Sequence, residues 1–267
     1  MSKALADRVV VIVGGTTGLG LSATCACIGA GAKVVAVGID PASSDAAVEA
    51  LGGAARIITA DARDPATASA AIDAAIAQFG RFDALYHVAG GSGRRHGDGA
   101  LHEITDEGWR YTLDINLTAL FNSNRAAAQY FMANKATGSV LNMGSVLGHS
   151  PSPRHFSTHA YAAAKSAVIG FTRSCAAYYA PHGIRFNVIA PGLVETPMSQ
   201  RAAEDASILR YVAAKQPLDG GRIGHPEDLD AAVVFFLSDQ SAFVTGQVLS
   251  VDGGWSVSEG PAPMETP

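Results

Sequence analysis

Three observations predict an α/β fold built on a doubly wound, mostly parallel seven-stranded sheet with helices on both faces. Short apolar runs rich in β-branched residues alternate strictly with longer helical stretches, the pattern of parallel strands joined by crossover helices. The strand runs are apolar throughout instead of alternating with polar residues, as strands covered on both sides must be. A glycine-rich turn, Gly14-Gly15-Thr16-Thr17-Gly18-Leu19-Gly20, follows the first strand and opens the first helix. In such a sheet that turn lies at the ligand-binding crevice, the Rossmann-like arrangement.

Taken in order, residues 8–13 form the first strand, and an Ala-rich helix runs from the glycine turn to Gly31. A strand over 33–37, a short helix over 43–51 and a strand over 56–59 ending at Asp61 come next. Residues 65–79 are helical with Pro65 at the start, a position where the missing N–H costs nothing. The strand 83–87 runs into Ala89-Gly90-Gly91, and 92–99 is a polar glycine-rich loop. One long helix or two spans 105–134, followed by a strand over 138–142. After a loop with Pro151 and Pro153, a helix carries Tyr161 and Lys165 and ends near Pro181. The strand 184–189 is broken by Pro191-Gly192. Helices over 199–215 and 226–237 precede a last strand over 247–251. No linker or repeat divides residues 1–255, which read as one dinucleotide-binding catalytic domain, and the proline-bearing segment 256–267 reads as a flexible tail.

Composition excludes several functions. With 48% hydrophobic and 16% charged residues, much of the chain must be buried. A formal charge of −5 leaves no basic patch to displace counterions, so no nucleic-acid partner is expected. The run 9–13 is strand length, far short of a bilayer span, and no targeting segment is recognisable; no membrane contact and a cytoplasmic location are the expectation. Cys25, Cys27 and Cys175 have no metal-ligand spacing and read as packed thiols in a reducing compartment. His149, His155 and His159 lack an acidic companion, so no metal site is expected, and one of them is expected to line the substrate pocket. Arg94 and Arg95 read as a solvated loop, with an anionic substrate as the other possibility, and Trp255 as subunit packing.

The glycine turn suits a pyrophosphate, because glycines let backbone N–H groups approach it and the helix N-terminus favours its charge. The ribose partner should lie at the end of the second strand. Asp40, 26 residues past Gly14, is the candidate, its other reading being a turn before Pro41. No Arg or Lys occupies 38–40 to receive a 2′-phosphate, which favours NAD over NADP. Tyr161 and Lys165 are four apart, so a phenol and an ammonium share one helical face.

These residues resemble the short-chain dehydrogenase/reductase family. The glycine loop 14–20, Asp61-Ala62, Ala89-Gly90, Asn116, Ser145, Tyr161 with Lys165, Pro191-Gly192 with Thr196, and Asp252-Gly253-Gly254 fall in the family's order across residues 6–255. The resemblance implies that Gly14, Thr17, Gly18, Leu19 and Gly20 hold the pyrophosphate and adjoining ribose. Asp61 and Ala62 would flank the adenine, Ala89 and Gly90 the ribose side, and Pro191, Gly192, Val194 and Thr196 the nicotinamide. Tyr161 would be the acid/base, its phenolate favoured by Lys165, which also bonds the nicotinamide ribose. Ser145 would hold the substrate oxygen and Asn116 a relay water.

The implied protein is a homotetrameric oxidoreductase moving a hydride between a nicotinamide cofactor, NAD preferred, and a secondary alcohol or ketone. An NADP-dependent carbonyl reductase is the alternative, and a non-catalytic dinucleotide-sensing scaffold is a weaker one, since a sensor has no need of the tetrad. Three departures stand out. Val13 replaces a usual Thr, and His87-Val88 replaces two asparagines, removing an amide that braces the sheet. The Ser145-to-Tyr161 gap of 16 residues places an insertion in the 150–158 loop. The specificity loops 92–99, 150–158 and 198–222 favour a compact polyol, sugar or cyclic alcohol over a lipid.

Overall fold

A computed structural model describes residues 3–260. All seven strands are parallel, in the order β3-β2-β1-β4-β5-β6-β7: β1 (Val9–Val13), β2 (Lys33–Gly38), β3 (Ala55–Thr59), β4 (Ala84–His87), β5 (Gly138–Met143), β6 (Ile184–Pro191) and β7 (Val248–Val251). The chain winds outward from β1 to β3, then returns to β4 on the other side of β1. The order therefore reverses between β1 and β4, and a crevice opens at their carboxyl ends.

The helices are α1 (Gly18–Gly29), α2 (Pro41–Leu51), α3 (Pro65–Phe79), α4 (Asp106–Leu113), α5 (Ala119–Ala133), α6 (His159–Tyr179), α7 (Gln200–Glu204), α8 (Ala206–Lys215) and α9 (Asp230–Leu237). β1 is buried at every residue and feeds two cores. Val9, Val11 and Val13 pack with Ala71 and Ala75 of α3 and Ala127 and Phe131 of α5. Val10 and Ile12 pack with Ala23 and Cys27 of α1 and Val233 and Phe236 of α9. A period-two strand with apolar residues at every position has no face for water, which is why the run had to be read as central.

Three expected helices are interrupted. The stretch 105–134 divides into α4 and α5 around one turn of π-helix, Asp114–Thr118. The stretch 199–215 breaks at Asp205, whose carboxylate accepts from Ser207 N at 2.8 Å and so starts α8 as a new helix. A single 3₁₀ turn, Pro226–Leu229, precedes α9. The expected tail starts with residues that are tied down: Lys215 Nζ donates to Ser258 O and Ser258 Oγ to Lys215 O, each at 2.6 Å. Residues 261–267 lie outside the described residues. Cys27 is buried, but Cys25 is exposed rather than packed. No helix among the described residues is long and apolar enough to cross a membrane.

The bracing amide missing at position 87 is replaced by other groups. His87 Nδ1 meets Ser123 Oγ of α5 at 2.9 Å. On β5, Asn142 exchanges amide hydrogen bonds with Asn124 of α5 at 2.8 and 2.9 Å and donates to Thr172 Oγ1 of α6 at 3.0 Å.

Burial, with the nearby Lys165 ammonium, pushes the His87 imidazole down to about 3. An unfolded histidine titrates near 6.5. The fold's advantage is therefore complete above about pH 6.5 and is lost as pH falls toward 3, because only the unfolded chain takes up the proton. His87→Asn should reduce the stability lost between pH 7 and pH 4 by on the order of a few kcal/mol. Urea unfolding followed by circular dichroism at both pH values measures this; an unchanged loss would show that His87 is not the sensitive group.

Candidate active site

Backbone contact shapes the crevice. Gly14 has φ +93°, and a Cβ there would sit 2.6 Å from Ala89 N, so the ends of β1 and β4 meet without side chains between them. A Cβ on Gly20 would sit 1.8 Å from Gly14 O, so the turn folds directly onto the first turn of α1. Thr17 caps α1 without a side-chain hydrogen bond, which leaves the helix's positive end facing a cleft of about 410 Å³.

That cleft collects the residues expected to bind the cofactor. Gly14, Thr17, Gly18, Leu19 and Gly20 form one wall, Asp40, Asp61 and Ala62 the far end, and Ala89, Gly90 and Thr196 the near side. Asp40 caps α2 by accepting from Ser43 N at 2.8 Å and from Ser43 Oγ. Asp61 is already paired: Arg63 Nε donates to it at 2.9 Å and Arg63 Nη2 at 2.5 Å. Arg63 itself lines the cleft, a basic group supplied from beyond positions 38–40.

A second cavity of about 190 Å³ adjoins the first and shares Leu19, Gly90 and Thr196 with it. It brings Asn116, Ser145, Tyr161 and Lys165 together with Pro191, Gly192 and Val194. The buried Lys165 Nζ donates to Met143 O at 2.9 Å and lies 5.5 Å from the Tyr161 ring centroid. Burial pushes its ammonium down to about 8. Burial also raises the Tyr161 phenol, and the hydrogen bond from Ser145 opposes that rise. Ser145 Oγ accepts Leu147 N at 3.2 Å, which leaves its one hydrogen to point at the Tyr161 phenol or at a ligand in the cavity. Asn116 sits in the π turn, where its amide pairs with Gly91, Nδ2 to O at 2.9 Å and N to Oδ1 at 3.2 Å, and also donates to Thr112 O at 2.9 Å.

Sequence reading missed two supports. Thr158 caps α6 with no side-chain bond; instead the buried Asp98 accepts Ala160 N and Tyr161 N, each at 3.0 Å. A carboxylate at the positive end of a helix stabilises it by about 0.3–2 kcal/mol, and here it fixes the turn bearing Tyr161. Within Gly97-Asp98-Gly99 the residue looks like a turn former, and nothing local points to a partner 62 residues away. Gln216, also buried, clamps the segment after β6: Leu193 N donates to Oε1, and Nε2 donates to Leu193 O at 3.2 Å.

Three expectations are corrected. Arg94 is half-buried, lines the second cavity and donates to His155 O at 3.2 Å, whereas its neighbour Arg95 is exposed. None of His149, His155 and His159 lines that cavity; from the inserted loop, Phe156 and Thr158 do. Trp255 is 1% exposed within one chain. It packs against Phe156 and Tyr211, with ring centroids 5.6 and 5.9 Å away, and forms part of the cavity wall instead of a subunit contact.

Comparisons with known proteins bear on this site. A family model described as enoyl-(acyl carrier protein) reductase matches residues 13–256. The chain is 33% identical to 2,5-dichloro-2,5-cyclohexadiene-1,4-diol dehydrogenase of Sphingobium indicum, over 94% of this chain and 98% of that one. It is also 33% identical to cis-4-hydroxycyclohexanecarboxylate dehydrogenase of Sinomonas cyclohexanicum, over 96% and 99% of the two chains. A solved short-chain type dehydrogenase/reductase from Mycobacterium ulcerans superposes with a TM-score of 0.87 at 32% identity, covering 97% of this chain and 93% of that one.

The desolvated Lys165 makes a stability prediction. Below about pH 8 the fold carries a cation that water would hold better; the penalty lifts between about 8, where the buried group titrates, and 10.5, where the free one does. Lys165→Met should therefore be more stable than the parent at pH 7, by on the order of 1–3 kcal/mol, with the gap closing toward pH 10. Chemical denaturation across pH 6.5–10 reads it; a variant no more stable at pH 7 would mean the ammonium is well solvated.

Proposed function

We propose that this chain, which belongs to the short-chain dehydrogenase/reductase family, is an NAD-preferring dehydrogenase of a compact secondary alcohol that works through Tyr161. It is an oxidoreductase of that family, moving a hydride between a nicotinamide cofactor and the carbinol carbon of a secondary alcohol, or back to a ketone. The observation that carries the assignment of roles is one cavity that brings Ser145, Tyr161 and Lys165 together, with Lys165 Nζ 5.5 Å from the Tyr161 ring centroid.

Pro191, Gly192, Val194 and Thr196 would hold the nicotinamide, which would supply the hydride acceptor or donor and, when oxidised, positive charge. With substrate bound, the Ser145 hydroxyl turns to the substrate oxygen and stabilises the charge that develops there. Tyr161 takes the carbinol proton in oxidation and gives it back in reduction. Lys165 favours the phenolate and is available to the cofactor's ribose hydroxyls. Asn116 is assigned a relay water. The π turn supports this, because such turns are frequent at functional sites.

NAD preference is supported by the Asp40 carboxylate, which lines the cleft and would repel a 2′-phosphate. Arg63 would argue for NADP, but its guanidinium is tied to Asp61. Ring alcohols named for the two relatives support a compact cyclic substrate. A homotetramer is part of the reading, supported by exposed apolar side chains, Phe121 on α5, Tyr178 on α6 and Leu249 on β7. A cytoplasmic location is supported by the three free thiols.

Tyr161→Phe should lower kcat by about 10²–10⁴-fold while reduced-cofactor binding stays near the parent value. Turnover of an identified alcohol at near wild-type rate would overturn the mechanism. Fluorescence titration should give NADH at least about tenfold tighter binding than NADPH, and Asp40→Asn should narrow that ratio by relieving the like-charge contact. Tighter NADPH binding by the parent would reverse the cofactor assignment.

A further inference from the structure

We infer that the alcohol carries a carboxylate and that Arg94 and Arg201 receive it; the inference rests on the dehydrogenase reading of the same cavity. Both arginines line the cavity that holds Ser145 and Tyr161, and neither lines the cofactor cleft, so the cofactor's phosphates do not explain them. No aspartate or glutamate lines that cavity.

Among the described residues, neither arginine has a carboxylate within ion-pair distance. Of the carboxylates in their neighbourhood, Asp98 accepts Ala160 N and Tyr161 N with its two oxygens, and Asp205, whose charge Arg201 feels, accepts Ser207 N and Ile208 N with one. Arg94 places one N–H on the His155 carbonyl at 3.2 Å, which leaves donors of its five-hydrogen fork unassigned. Burial, and then the charge of Arg201, push the Arg94 guanidinium down, and Asp98 only partly opposes them. Two cations border one cavity that no carboxylate lines, and an incoming anion would relieve their mutual repulsion.

Most of the remaining wall is apolar, with Val146, Leu147, Phe156, Leu193, Met198 and Trp255, beside the hydroxyls of Ser92, Thr158, Thr196 and Ser199. A ligand matching these surfaces has a hydrocarbon body, a carbinol at Ser145 and Tyr161, and an anion at the arginines. The planar guanidinium fork matches a carboxylate in two-point geometry, which a neutral ester or amide cannot reproduce at equal strength. The substrate class is thus a compact secondary hydroxy acid.

The test uses matched pairs of hydroxy acids and their methyl esters: 4-hydroxycyclohexanecarboxylate, its 3-hydroxy isomer, and a linear hydroxy acid of similar size. Each is titrated into the enzyme–NADH complex by fluorescence of the reduced cofactor, where alcohol and NADH cannot react, so binding is read apart from turnover. At least one acid should bind about tenfold or more tighter than its ester, with the ratio falling as salt rises. The acid-over-ester ratio should collapse toward unity in Arg94→Met and Arg201→Met and be partly retained in Arg94→Lys. The exposed Arg201 guards against a folding failure at position 94. No preference for the acid in any pair, or equal weakening of acid and ester in both arginine variants, overturns the inference. Parallel assays of NAD reduction separate the two readings: charge preference without oxidation of any pair leaves the anion subsite standing and counts against the dehydrogenase assignment.

Discussion

Lys165 keeps its ammonium where burial works against it, held at about 8 with the Met143 carbonyl 2.9 Å away. That one donor–acceptor contact joins the middle of α6 to the end of β5, the point where the parallel sheet stops and the cavity begins. Tyr161 stands one helical turn earlier on the same face, and Ser145 follows Met143 by two residues, so the position of both depends on the seating of this amine. Its charge reaches the sheet as well: it helps keep the fully buried His87 neutral, and a neutral imidazole can pair with Ser123 without a counter-ion. A buried cation of this kind is a poor way to stabilise a protein, and such perturbed groups gather at functional sites.

Much of this was legible along the chain. β1 to β7 are short apolar runs whose neighbours in sequence announce crossovers, and the glycine turn after Val13 marks the crevice because close backbone approach admits no other residue there. Tyr161 and Lys165 could be placed on one face by helical periodicity alone. Asn116 was singled out by its place in the family's order, yet the π turn around it was not foreseen, because a single extra residue leaves no period of its own. The break at Asp205 was hidden for a related reason: the helix formers on either side outweigh a single capping residue.

What could not be read was long-range pairing between ordinary residues. Asp98 looks like a turn residue, Arg94 like a solvated loop and Trp255 like an oligomer contact, while Gln216 falls just past the helix expected over 199–215. Each has a partner or cavity wall supplied by a segment far away in sequence, and side-chain type does not encode that meeting. The histidines illustrate the converse. Three of them near the site suggested pocket lining, but the inserted loop turns Phe156 and Thr158 inward and uses only the carbonyl of His155.

Arg94 and Asp98 lie on the same short loop, one facing the substrate cavity and the other fastened to the first amides of α6. Variation in this loop is therefore constrained in a way that variation elsewhere is not. A lineage that altered it to accept a new alcohol would risk disturbing the tyrosine turn at the same time. Met198 and the exposed Arg201, by contrast, border the cavity from a segment that makes no such bond to α6. Divergence in substrate choice, whether natural or in the laboratory, has its least constrained route through that side of the pocket.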